Sequence, residues 1–340
     1  MDFSVSASVL SISQIPGCLL SGVVLDEFGR RKTLILISVP FVIGWVILCA
    51  VPQPLNVALL FIGRVITGVA CGMSSAPATV YIGETATKQY RGMLVTWPSV
   101  GVSVGILLVY LLGWGIQNDW RLVAGITIAL PVTASLLALF YLKETPCWLL
   151  SQGRVQEAEE SFRWLREVSQ NEAMPDAIRE EFEELVYSYE RKTSTQGEDP
   201  HISTISNVID GKPTSNNVKN ESRFRKVLRR IASLKKPDVW KPLVINNFCF
   251  FFMQFGGIQV VAVYAVDIME SAGVSMDAYV AVVLLGGVHV LSGMGASFAF
   301  SRYEYLCPSV SLLFFFTFSQ FIFTASTYLL LVMVSFILII

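Results

Sequence analysis

The sequence predicts an all-α, polytopic membrane protein, and three observations carry that reading. Of the 340 residues, 53% are hydrophobic and only 15% charged, with a mean hydropathy of +0.58, whereas a soluble domain carries about 25% charge. The apolar residues gather into eight runs, at about 4–25, 33–52, 57–81, 93–116, 121–142, 242–266, 277–300 and 308–332, each near the ~20 helical residues that cross ~30 Å of hydrocarbon. The charges, third, are concentrated between the runs.

The first run has no basic segment before it and no small-residue cleavage site leading into polar sequence, so it reads as a span and not as a signal peptide. It ends in LDEFGRRKT, residues 25–33, with five charges in nine residues. Each would cost ~2.5–3.5 kcal/mol at the bilayer centre, so the stretch is a loop at a membrane face. Of the 25 Lys and Arg, 3 lie in this loop, 2 (Lys88 and Arg91) after the third run, 17 in the segment 143–241, and one, Arg302, after the seventh run. Arg64 and Arg121 are the exceptions. The positive-inside rule makes that side cytoplasmic, which puts the first residue outside and, with eight spans, the last residue outside too.

The segment 143–241 interrupts the runs after the fifth. In GRVQEAEESFRWLREV the apolar positions Val155, Ala158, Phe162, Leu165 and Val168 recur at three and four residues, an amphipathic helix pattern. Similar patterns occur at about 175–192 and, strongly basic, at about 222–234. These helices are expected along the cytoplasmic face, near anionic lipid or the span ends. The polar stretch between the second and third reads as a flexible linker. Its sequon at Asn220 should stay unmodified on that side. Residues 308–340 carry no charge; 33 helical residues reach about 50 Å, so one span with an apolar overhang is expected.

The six cysteines show no CxxC pairing, and His201 and His289 are the two histidines. Neither a disulfide framework nor a metal site is expected, and no cofactor. No nucleophile or phosphate loop supports an enzyme, eight spans with a long basic insertion do not fit a seven-span receptor, and no nucleic-acid partner is expected.

Several positions stand out within this frame. Asp26, Arg30, Arg31, Glu84, Arg91 and Glu144 fall at cytoplasmic span ends, where opposite charges can pair across neighbouring helices and latch helix bundles together; charge that merely sets topology is the alternative. Gly29 sits where a tight turn can require positive φ. Gly68 with Gly72, and Gly101 with Gly105, form GxxxG pairs, best read as close helix packing. Inside the spans, Ser99, Gln254, Gln259 and His289 are polar, and such residues face either a cavity or a partner helix. Asp267 at an outer span end reads as solvated.

Four segments occur in order: LDEFGRRK after the first run, GRVITGVACG through the third, YIGETATKQYRG at its end, and KETPCWLLSQGRVQEA after the fifth. Their order and spacing resemble the sugar porter family of the major facilitator superfamily, the glucose-transporter-like proteins, most of all the insect facilitated trehalose transporters. The resemblance implies twelve spans in two sixfold halves around a central site. Residues 1–142 then correspond to family spans two to six, 143–241 to the cytoplasmic loop, and 242–340 to a partial C-terminal bundle of spans seven to nine, about eight of twelve. It also implies that Asp26, Gly29, Arg30, Arg31, Glu84, Arg91 and Glu144 belong to the cytoplasmic gating network that holds the outward-facing state. Arg64 matches the family arginine near the outer end of its span. FFMQFGGIQVVAVYAVDIM resembles the sugar-binding span, retaining Gln254, with Gln259 where the family has asparagine, Met253 for a glutamine and Gly256 for a serine. His289 and Ser99 align with further polar positions. Amides suit sugars because each offers donors and acceptors to hydroxyls.

The chain departs from the pattern in three places. The first span and the last three are absent, SRYEYLCPS stands where a DRxGRR-like motif is expected, and KETPC has Lys143 for proline and Cys147 for arginine. An incomplete gene model, splice form or decaying copy is expected from this. The function implied is facilitative transport of a hexose or trehalose by alternating access, in the lipid bilayer, at the plasma membrane. The alternative is a non-transporting truncated protein, a sensor or regulator pairing with a full-length paralogue or oligomer, or a non-functional fragment. The acidic first-span residue that often marks proton coupling is absent, so uniport and symport stay open.

Overall fold

The computed structural model describes residues 2–52, 56–116, 119–169, 174–196, 240–241, 244, 247–248, 251, 263–271 and 277–303, and every regular element among them is a helix. In order they are α1 (Asp2–Phe28), α2 (Arg30–Cys49), α3 (Val57–Ser74), α4 (Pro77–Thr85), α5 (Arg91–Gly115), α6 (Trp120–Thr127), α7 (Ala129–Tyr141), α8 (Pro146–Ser151), α9 (Val155–Leu165), α10 (Asp176–Gln196), α11 (Ala265–Ser271) and α12 (Ala278–Tyr303). Among the described residues six segments are long and apolar enough to cross a membrane: Ser8–Phe28, Arg30–Cys49, Val57–Thr85, Arg91–Gly115, Trp120–Tyr141 and Ala278–Phe298. They coincide with the first five expected spans and the seventh. The expected spans at 242–266 (largely) and 308–332, the third amphipathic helix and the linker lie outside the described residues.

Local chemistry sets the boundaries. Gly29 alone separates α1 from α2, at φ +92°. Asn56 caps α3 by accepting from the Leu59 amide at 3.4 Å. Pro77 and Pro146 open α4 and α8, where a missing N–H costs nothing. Leu19 at 73% and Phe140 at 76% exposure show how much apolar surface the spans turn outward, as side chains facing acyl tails would.

The described chain divides into two compact units, Met1–Ile47 with Val51–Ala86 and Ile128–Arg223, and Leu48–Ala50 with Thr87–Thr127 and Phe224–Ile340. In the first, α1 and α3 cross almost backbone to backbone. A Cβ at Gly17 would stand 2.2 Å from the Val69 carbonyl oxygen, one at Gly68 2.6 Å from that of Leu10, and one at Gly72 2.1 Å from that of Gln14. Ser21 adds a buried hydrogen bond to the Met73 carbonyl at 2.9 Å. The glycine pair at 68 and 72 is therefore a packing device, as expected. Gly101 and Gly105 have nothing within 4 Å of an added Cβ among the described residues.

On the charged end of the same unit, α8, α9 and α10 enclose a small core of Trp148, Leu149, Leu150, Val155, Ala158 and Val186, with Phe162 and Phe182 ring to ring at 5.3 Å. The apolar stripe read from the sequence builds this core, except that α9 stops at Leu165, before Val168. α10 runs to Gln196, slightly beyond its expected end.

In the second unit α5 packs along α12. Gly286 would bring a Cβ within 3.0 Å of Tyr110 and 3.1 Å of Leu107, and Gly293 lies against Ser103 and Val100. The Thr96 and Ser297 hydroxyls share a buried hydrogen bond at 2.7 Å. Ala265, Met269, Ala281, Val282 and Leu285 join α11 to α12.

The two glycine pairs give opposite expectations. Gly72→Ala should lower the unfolding temperature in detergent, since overpacking a tight contact costs roughly 1–3 kcal/mol. Gly101→Ala should leave it unchanged or raise it, because alanine is the better helix former by ~1 kcal/mol. An unchanged unfolding temperature for Gly72→Ala would contradict the α1–α3 crossing.

Candidate functional site

The charged end of the first unit is organised by a turn and a carboxylate. The first amides of a helix lack intrahelical acceptors, and α2 starts immediately after Gly29. Oε1 of Glu144 accepts from the amides of Arg30 at 2.7 Å and Arg31 at 3.1 Å, and from that of Thr145 at 3.3 Å. A carboxylate at a helix N-terminus also faces the positive end of the dipole. Glycine is needed at 29 twice over: for its φ, and because a Cβ would sit 2.6 Å from Glu144 Oε2.

Arg30 extends the arrangement to α4. Its Nε (3.0 Å) and Nη2 (2.6 Å) both donate to Oε1 of Glu84, and Asp26 lies 3.9 Å from its Nη1. The Arg30 and Glu84 side chains are only 14% and 18% exposed, so this pair is expensive to break one-sidedly. Asp26 is 42% exposed, and its pairing is weak by comparison. Oε2 of Glu84 accepts the hydroxyl of fully buried Thr145 at 2.6 Å. Thr145 in turn caps α8 by accepting from the Trp148 amide at 3.4 Å.

Further bonds close the assembly. The Trp148 indole donates to the Asp26 carbonyl at 3.1 Å, and the Tyr81 hydroxyl to that of Lys143 at 3.0 Å. Arg31 Nη2 donates to the Leu139 carbonyl at 2.7 Å, and the Ser161 hydroxyl to that of Glu144. Arg166 forks onto Glu181, Nε to Oε2 at 3.0 Å and Nη2 to Oε1 at 2.7 Å, while its Nη1 reaches the Thr85 carbonyl at 3.4 Å. A cation there meets the negative end of the α4 dipole.

The structure thus brings Asp26, Gly29, Arg30, Arg31, Glu84 and Glu144 together within one unit. Arg91 opens α5, in the other unit. Ser99 and His289 are half-buried in α5 and α12; Ser99 accepts the Ser103 hydroxyl at 3.2 Å, and His289 buries its Nδ1. Gln254 and Gln259 lie outside the described residues. Thr145, Tyr81, Trp148 and Arg166 are participants that sequence reasoning missed. For Thr145 a signal existed, since threonine followed by proline marks a helix start. Among the described residues no cluster of His, Cys, Asp and Glu is arranged to hold a metal.

Residues 1–339 match the family model described as sugar (and other) transporter. The facilitated trehalose transporter Tret1 of Bombyx mori is 30% identical over 294 residues, 86% of this chain and 50% of that protein. Solute carrier family 2, facilitated glucose transporter member 8, of Bos taurus is 30% identical over 295 residues, 87% of this chain and 51% of that protein. The chain spans about half the length of these curated relatives. In fold it is similar to the proton:xylose symporter XylE, of the major facilitator superfamily, bound to 6-bromo-6-deoxy-D-glucose: TM-score 0.65, 20% identity, covering 93% of this chain and 70% of that one. A partially occluded, inward-open structure of XylE from E. coli gives a TM-score of 0.59 at 19% identity, covering 98% and 76%. The fold is therefore that of the major facilitator superfamily, and the family match with six apolar helices makes this an integral, multi-pass membrane protein.

Two substitutions separate charge from geometry in the clasp. Glu144→Ala strands three amides, and each buried donor left unmet costs about 1–3 kcal/mol; Glu144→Gln keeps an acceptor oxygen and should lose clearly less in unfolding temperature. Arg30→Lys keeps the charge but not the Nε–Nη2 fork, so it should destabilise by a further measurable step relative to wild type. Indistinguishable glutamine and alanine variants would contradict the amide-acceptor role.

Proposed function

Because the chain belongs to the sugar (and other) transporter family, we propose that it is a facilitative carrier of a sugar, a hexose or trehalose, moving its substrate by alternating access without covalent chemistry. The observation that carries this reading is the clasp around Glu144 and Glu84, formed by the same ordered segments that gave the family resemblance. In the proposed cycle Asp26, Gly29, Arg30, Arg31, Glu84, Arg91 and Glu144 stabilise one state at the charged face and loosen in the other. Only an interaction that differs between two states can shift their balance. A half-desolvated Arg30–Glu84 pair has that property: it is strong when dry and weak once water enters.

Substrate contact is assigned to Gln254, Gln259, His289 and Ser99, whose donors and acceptors suit hydroxyl groups. The named substrates of the similar proteins, trehalose and glucose, support a neutral sugar. The plasma membrane is the proposed location.

Uptake of labelled glucose and trehalose into oocytes expressing the 340-residue chain, with surface delivery measured in parallel, tests the reading. Saturable uptake is expected, and Gln254→Ala or Gln259→Ala should raise the half-saturating concentration by roughly tenfold, the equivalent of one lost hydrogen bond of ~1.4 kcal/mol. Surface delivery without uptake of either sugar would overturn it.

A further inference from the structure

Beside the clasp lies a cavity of about 320 Å³ between the start of α2, the loop after α7, and α8 and α9. Its charges do not balance internally. Glu144 is taken up by three amides, and Arg154 and Glu157 pair with each other. Beyond that pair the wall carries Arg31, Lys32 and Lys143 against Glu144 and Glu160, an excess of one positive charge. Arg31 has a buried Nε with no acceptor among the described residues. The Lys143 ammonium rests over the Trp164 ring at 5.7 Å, which holds the cation at the cavity wall. Lys143 is also the residue that stands where the family resemblance expects proline, so this cation is a property of this chain.

The surroundings specify the occupant further. Arg31 reaches the Leu139 carbonyl at 2.7 Å, which carries it to the rim of the α7 surface where Leu139 (47%), Phe140 (76%) and Tyr141 (68%) are exposed. A recess with an excess of positive charge thus opens at the end of a span, next to apolar surface. Arginine and lysine donors favour phosphate oxygens, and a headgroup at this depth is held at the bilayer surface already. We propose that this cavity binds the phosphate group of an anionic phospholipid, with Arg31, Lys32 and Lys143 as its donors and the end of α7 against its acyl chains. The proposal stands whether or not the chain carries sugar.

The test uses the purified full chain in detergent. Phosphatidic acid should raise its unfolding temperature increasingly with concentration, as a ligand of the native state does, and phosphatidylcholine should not. The double variant Lys32→Gln, Lys143→Gln should lose that shift and the double arginine variant should keep it. A glutamine variant that responds like wild type, or an equal shift with phosphatidylcholine, would overturn the proposal. If glycerol 3-phosphate alone reproduced the whole shift, a soluble phosphate would be the ligand and the lipid assignment would fall. Native mass spectrometry of the wild-type chain gives an answer that needs no variant: preferential retention of phosphatidic acid over phosphatidylcholine is expected, and equal retention of the two would count against the site.

Discussion

Three amides converge on Oε1 of Glu144, and the charged end of the first unit is assembled outward from that atom. The reason is general: the first N–H groups of a helix have no acceptor within its own turn and need one from elsewhere. Glu144 arrives from 114 residues further along the chain to satisfy those of α2, so a local deficit is met by a long-range contact. Once the carboxylate is there, Gly29 must lack a side chain, Arg30 is held at the right height to fork onto Glu84, and Thr145, next to Glu144 in sequence, reaches the other Glu84 oxygen.

The first unit therefore holds its helices in two chemically different ways. Along α1 and α3 it is contact of bare backbone, which gains dispersion and lets helices approach closely without any polar group. At the charged end it is directional bonding in a partly dry place, where each missing partner is felt. Neither replaces the other, since apolar packing cannot fix the turn at Gly29 and the clasp cannot hold α1 to α3 along its length.

Much of this was legible in the sequence. The six described spans were, because an apolar run of about 20 residues has few alternatives. The clasp residues were, because charges beside spans must lie at a face, and the α1–α3 notch was, through Gly68 and Gly72. The partners of those residues were less so. Gly101 and Gly105 have the same spacing and no close neighbour among the described residues, since GxxxG states an ability to pack and not what packs there. Trp148 and Tyr81 contribute through a carbonyl at each partner, Asp26 and Lys143, and backbone acceptors leave no mark in a sequence. The break of the fifth span at Ile128, between α6 and α7, does have a mark in the sequence: Pro131 has no N–H to give the Thr127 carbonyl four residues back.

The α5–α12 contact bears on how the chain is made. Thr96 and Ser297 are 201 residues apart, and at ~5–20 residues per second a ribosome needs on the order of 10–40 s to travel between them. Through that interval α5 stands in the bilayer without its partner. Two of its buried hydroxyls are nonetheless occupied by their own helix: Thr96 donates to the Met93 carbonyl at 2.6 Å and Ser103 to that of Ser99 at 3.2 Å, the usual way a hydroxyl in a helix is satisfied locally. The helix can therefore wait in lipid at little cost for a partner not yet synthesised, and then exchange a solitary surface for a shared one without first breaking a bond of its own.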